Sequence, residues 1–167
     1  RNSEGWINKV YYPETKSTFK GECGSLRGYK TRLLPKDFSK PNIGITGVSS
    51  DFYGRNSFKD YGGGKYVVIV GGEEDCLAAY QMLRDYQVQK KQDDYDPIPV
   101  VSVTSGEGSL AKQCAEQYDW LNQFENIIIC MDNDDAGRKA AQEALKVLPE
   151  DKARVMYCSL KDPSLML

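Results

Sequence analysis

Four short runs of β-branched and apolar residues, each followed by a helix-length segment, leave few folds open to residues 65–167. The runs are Tyr66–Val70, Ile98–Val103, Asn126–Met131 and Ala153–Cys158. Near-continuous apolar character over so few residues is the mark of strands buried on both faces, as in a parallel sheet. Between them lie amphipathic stripes. Cys76, Leu77, Tyr80 and Leu83 form the first, and Leu110, Ala111, Cys114, Ala115, Tyr118 and Leu121 the second. Ala136, Ala140, Ala141, Ala144, Leu145 and Leu148 form the third. Spacings of three and four place each set on one helical face. Alternation of strand and helix predicts an α/β fold, an open parallel sheet flanked by helices. The polar stretch Gln87–Pro97 reads as a solvated loop.

Residues 1–64 differ in texture. They are rich in Gly, Ser, Pro, Tyr and Lys, with extended runs at Trp6–Tyr12 and Tyr29–Leu34. A small, irregular, basic α+β subdomain is expected there, joined through Gly62-Gly63-Gly64 to a second domain over 65–167. The 167 residues suffice for that arrangement. Because the chain opens at Arg1 and stops soon after the last strand-like run, it reads as an excised core of something longer.

Composition narrows the chemistry. There is no histidine, which removes Ser-His-Asp triads and imidazole-ligated metals. Cys23, Cys76, Cys114, Cys130 and Cys158 form no CxxC pair and read as reduced, buried thiols of a cytoplasmic protein. No apolar run reaches the length of a membrane span. A net charge of −2 means that any nucleic-acid contact must come from a local basic patch.

What remains is carboxylates, and their positions share a pattern. Strand one runs into Gly71-Gly72-Glu73-Glu74-Asp75, strand three into Asp132-Asn133-Asp134-Asp135, and strand four into Lys161-Asp162. In an open parallel sheet all three groups lie at the carboxyl edge, where such folds bind ligands. Crowded carboxylates repel unless a cation lies between them, and hard oxygen ligands suit magnesium or manganese. Asp132 and Asp134, two residues apart, face one side if the strand end is extended. The bland alternative is a solvated loop capping the next helix, to which Asp135 would then belong. Thr104–Ser109, a Gly-rich loop on the same edge, either cradles a phosphate or simply turns the chain into its helix.

Two segments are recognisable. YVVIVGGEEDCL at Tyr66–Leu77 and NIIICMDNDDAGRKA at Asn126–Ala140 resemble the two signature motifs of the Toprim fold. The second is closest to primases. PVVSV at Pro99–Val103, QFENIII at Gln123–Ile129, ALKVLP at Ala144–Pro149 and Lys161-Asp162 are similar to the primase half of short-tailed-phage primase-helicases. Lys30-x-Arg32, Lys36-x-Phe38 and Tyr53-Gly54 extend the likeness into the first half.

The resemblance implies RNA primer synthesis on single-stranded DNA from ribonucleoside triphosphates, in a phage-infected bacterial cell and beside a helicase domain or subunit. It implies Asp132, Asp134, Asp162 and Glu73 as ligands of Mg²⁺ or Mn²⁺. Glu73, Asp75 and Asp132 would be catalytic, with Glu73 or Asp75 as general base. Lys30, Arg32, Lys36, Arg138 and Lys161 would meet nucleotide or template phosphates, unless they are solvated surface charges. Tyr11, Tyr12 or Tyr53 would stack a template base or else pack within the protein.

One departure matters. The family pattern is Glu-Gly-x-x-Asp, and aligned on Asp75 the first position is Gly71. Either Glu73 takes over or the first acid is missing. Rival readings are a Toprim nuclease or topoisomerase fragment and a non-catalytic nucleic-acid-binding module.

Overall fold

The computed structural model describes residues 3–17, 24–35, 42–58, 64–92 and 94–157. The described residues form two sheets with their helices. The first is antiparallel and ordered β1-β2-β3, with β1 Lys9–Lys16, β2 Ser25–Leu33 and β3 Ile43–Gly44. The extended runs expected around Trp6–Tyr12 and Tyr29–Leu34 are therefore longer strands, shifted by a few residues. Before the second sheet, helical structure among the described residues is one 3₁₀ turn at Arg55–Phe58.

The second sheet is parallel, ordered β5-β4-β6-β7, with β4 Tyr66–Val70, β5 Val100–Ser102, β6 Asn126–Cys130 and β7 Ala153–Val155. Its helices are α1 Glu73–Gln89, α2 Leu110–Glu116, α3 Tyr118–Leu121 and α4 Asp135–Leu145. The single helix expected after strand two is thus broken at Gln117. The reason is a tertiary contact: Gln117 is buried, and its side chain accepts from Arg55 Nη1 at 3.0 Å instead of facing solvent. The expected loop Gln87–Pro97 begins late, because α1 continues to Gln89. Gln87 is buried there and donates to the carbonyl of Asp96 at 3.2 Å.

Alternation along the strands sorts the core to both faces of the sheet. Val67, Ile69, Ile127 and Ile129 join Leu110, Leu121, Ala141 and Ala144 on the face of α2, α3 and α4. Val68, Val70, Val100 and Cys130 pack with Cys76 and Ala79 of α1 on the other. The two halves share this core. Phe52 and Phe58 lie within it, and the ring centroids of Phe52 and Trp120 are 6.4 Å apart. Tyr53 extends the parallel sheet by an antiparallel bridge, its N–H donating to Ser102 O at 2.9 Å and its carbonyl accepting from Ser102 N–H at 3.2 Å.

Burial pushes the thiols of Cys76 and Cys114 up to about 12, and these two and Cys130 are buried. Such thiols are inert at neutral pH. No helix among the described residues is long and apolar enough to cross a membrane.

Candidate active site

The register of the parallel sheet fixes where its carboxyl edge lies. Val70 pairs with Ser102 on one side and with Cys130 on the other. The segments that begin at Gly71, Val103 and Met131 therefore leave the sheet at one level. The chain runs from β4 to β5 on one flank and returns beyond β4 to β6 on the other. The crevice between β4 and β6 is thus the topological switch point, where open α/β sheets bind ligands.

Asp132 and Asp134 stand at this point. The backbone at Asp134 is extended and its side chain caps α4, with Oδ1 accepting from Gly137 N–H at 2.9 Å. The capping reading weighed for this segment is thereby met, and it engages one of two carboxylate oxygens. Asp135 opens α4, where an acid favours the helix dipole. Gly137 is required by close approach. A Cβ there would collide with the carbonyl of Asp132, so the first turn of α4 rests directly on the backbone that carries the acid.

At the end of β4 the acids are engaged with the other half of the molecule. Glu73 is 2% exposed. Lys30 Nζ of β2 donates to its two oxygens at 2.8 and 3.1 Å. Arg32, on the same face of β2, pairs with Glu74 at 2.8 Å. The hydroxyl of Tyr12 donates to Glu74 Oε1 at 3.4 Å; burial and the neighbouring Glu74 push its pKa up to about 12. Asp75 lies in the first turn of α1, and a Cβ on Gly72 would be 3.1 Å from its Oδ2.

The sequence-selected residues accordingly fall into separate groups. Asp132 and Asp134 both lie at the β6–α4 junction. Glu73 is paired with Lys30, and Arg32 with Glu74. Arg138 reaches Asn133 Oδ1 at 2.9 Å and Asp135 Oδ1 at 2.8 Å. Lys36, Lys161 and Asp162 lie outside the described residues. Of the three tyrosines, Tyr12 is buried and packs edge-on against Tyr53 with centroids 5.6 Å apart, and Tyr11 is exposed. The loop Thr104–Ser109 is a turn: Glu107–Ser109 form one turn of 3₁₀ helix leading into α2.

One residue escaped the sequence reading. Glu107, from that loop, accepts the backbone N–H of Asp132 at 2.9 Å through Oε1. The signal was available, since the loop after strand two, like those after the other three, carries an acid on the same edge.

Among the described residues, no three carboxylate or thiol side chains converge into a cage for a metal ion. Magnesium does not need one. It takes one or two carboxylates and completes its shell with water and phosphate oxygens. Hard oxygens from Asp132 and Asp134, in a chain without histidine and with no exposed thiol among the described residues, fit such an ion held together with a nucleotide.

Comparison with known proteins agrees with the geometry. A family model described as Toprim-like matches residues 68–165. The DNA helicase/primase of Enterobacteria phage T3 is 41% identical over 102 residues, which are 61% of this chain and 16% of that protein. The crystal structure of the primase fragment of the bacteriophage T7 primase-helicase superposes with a TM-score of 0.74 at 31% identity, covering 94% of this chain and 56% of that one. A structure of the T7 lagging-strand DNA polymerase with primase domains bound to an RNA/DNA hybrid and dTTP gives 0.66 at 32% identity, covering 92% and 66%. The Aquifex aeolicus primase, at 19% identity and 0.58 over 96% of this chain and 36% of that one, shares the fold.

Proposed function

The chain belongs to the Toprim-like family, and from that premise we propose that it is the nucleotidyl-transfer core of a phage-type DNA primase, making short RNA on single-stranded DNA. The observation that carries this reading is the location of Asp132 and Asp134, within the motif DNDDAGRKA, at the switch point of the parallel sheet. Likeness to a T7 primase fragment over 94% of the chain supports it. The chain spans 16% of the T3 relative and 56% of the T7 fragment, so a helicase partner, as in those proteins' names, belongs to the proposal. So does the setting, the cytoplasm of a phage-infected bacterium.

In the proposed reaction the 3′-hydroxyl oxygen of one nucleotide attacks the α-phosphorus of a ribonucleoside triphosphate. The new P–O bond forms as the α–β bond breaks, and pyrophosphate leaves with the electron pair. Magnesium, when bound, supplies charge stabilisation on the phosphates and a lowered pKa for the attacking hydroxyl. Asp132 and Asp134 would hold it, with Asp162 as a further ligand from the sequence that follows β7. Asp75 would accept the hydroxyl proton. Glu73 is engaged by Lys30 and would act by holding that lysine at the cleft. Lys30 and Arg32 then face incoming phosphates from β2. Lys36, Arg138 and Lys161 would add to that basic lining. The antiparallel sheet of residues 1–64 would form one wall of the cleft and the Toprim domain of 65–167 the other.

The test is RNA synthesis on a single-stranded template with ribonucleotides and Mg²⁺ or Mn²⁺, run beside nicking of a supercoiled plasmid. Short labelled RNA, lost in Asp132→Ala with the fold retained by circular dichroism, is expected. Plasmid nicking without synthesis would favour strand cleavage, and neither activity together with absent metal binding would favour a non-catalytic module.

A further inference from the structure

The Toprim pattern ends its first strand on a glutamate, and this chain has Gly71 there. A sequence reading offers Glu73 as the replacement, yet Glu73 is buried and held by Lys30 through both oxygens. The space next to Gly71 is filled instead by Glu107. A Cβ built on Gly71 would lie 3.0 Å from Glu107 Oε1, 3.4 Å from its Cγ and 3.6 Å from its Cδ. The carboxylate of Glu107 therefore occupies the volume into which a side chain at residue 71 would project. It also meets the reaction edge on its other side, since the same Oε1 accepts Asp132 N–H at 2.9 Å.

We propose that Glu107 supplies, from the loop between β5 and α2, the carboxylate that the Toprim pattern otherwise carries at the end of the first strand, and that it receives the divalent metal together with Asp132. A Cβ at residue 71 would press on the Glu107 carboxylate at 3.0 Å, so a glutamate there would push that side chain aside by a few tenths of an ångström. Glycine at 71 leaves Glu107 in its place beside the Asp132 amide. A carboxylate has about four acceptor positions, of which the Asp132 amide takes one. The reaction that Glu107 serves rests on the primase reading; its contribution to metal binding does not.

A relocation experiment tests this. Glu107→Gln keeps an acceptor oxygen for Asp132 N–H and removes the charge. Nucleotidyl transfer in the full chain is expected to fall about 10²-fold or more, Mn²⁺ affinity by calorimetry to fall at least about fivefold, and the melting temperature to stay within about 2 °C, the range of a surface change. Glu107→Ala should behave like Glu107→Gln in activity and metal affinity. Gly71→Glu combined with Glu107→Ala returns a carboxylate to the same volume and should recover at least about tenfold of both, one decade of the lost effect. Gly71→Glu alone should not improve on the parent.

Parent-like activity and Mn²⁺ affinity in Glu107→Gln would overturn the assignment. So would losses in Glu107→Ala that the relocated glutamate does not recover, since Glu107 would then only brace the Asp132 backbone. If the parent chain makes no RNA, the primase reading fails, while the Mn²⁺ titrations still decide the case of Glu107.

Discussion

Asp134 has two duties that substitution separates. Its Oδ1 caps α4 through Gly137 N–H, and its charge belongs to the proposed metal edge. Asparagine caps helices about as well as aspartate. Asp134→Asn is therefore expected to keep the melting temperature while losing metal-dependent synthesis. Asp134→Ala should lose synthesis and also about 1 kcal/mol of stability, a fall of roughly 2–4 °C for a domain of this size. Equal melting temperatures for the two variants would show that the cap contributes nothing. Glu14 offers a second test at this scale. It is 2% exposed, and burial raises its carboxyl pKa against the opposing bonds from Ser50 Oγ and Gly47 N–H. Its Oε1 is buried without a partner. A raised folded-state pKa contributes stability below the unfolded value and loses it as pH climbs through the folded one. Glu14→Gln, which cannot ionise, should thus gain on the parent at pH 8 and lose that advantage toward pH 5. Calorimetric melting across that range checks it, and a pH-independent difference would contradict it.

Between elements, the joint of β2 with α1 decides how the antiparallel sheet meets the Toprim edge. Lys30 is the counter-charge of a buried Glu73, so Lys30→Met should cost about 2 kcal/mol by leaving that carboxylate unpaired. Glu73→Gln on the same background should recover most of the loss, because the unpaired charge is then gone. Urea denaturation of the two single variants and the double variant measures the coupling; strict additivity would mean that the pair is not one unit. The same elements mark what the sequence disclosed. Strands β4 to β7 and the stripe of α4 were legible because period and burial are local properties of the chain. The break at Gln117 was not, since it depends on Arg55, which lies 62 residues away and donates into the bend. Glu73 likewise read as a free strand-end acid, because its partner is 43 residues distant on another sheet.

Across the whole molecule, topology does what no single motif can. The order β5-β4-β6-β7 brings the ends of three strands to one crevice, with Gly71, Glu107 and Asp132 from three separate segments meeting there. Sequence could assign those segments to one edge, but not show that Glu107 fills the volume beside Gly71, because that depends on the path of a turn. The segments 47–58 and 110–124 lock the halves together. Gln113 Nε2 donates to Ser50 O and to Thr104 Oγ1, both at 2.9 Å, and Arg55 lies 5.1 Å from the Trp120 ring while pairing with Asp51 at 3.1 Å. Such buried polar contacts rigidify the frame on which the acids stand. The activity proposed for this frame is nucleotide transfer. Its most direct test is extension of a short ribonucleotide annealed to single-stranded DNA, with Mn²⁺ and one labelled ribonucleoside triphosphate, comparing the parent chain with Asp132→Asn. Templated addition by the parent, reduced about 10²-fold or more in Asp132→Asn at an unchanged melting temperature, is the expected result. Equal addition by both, or none by a folded parent that binds Mn²⁺, would contradict it.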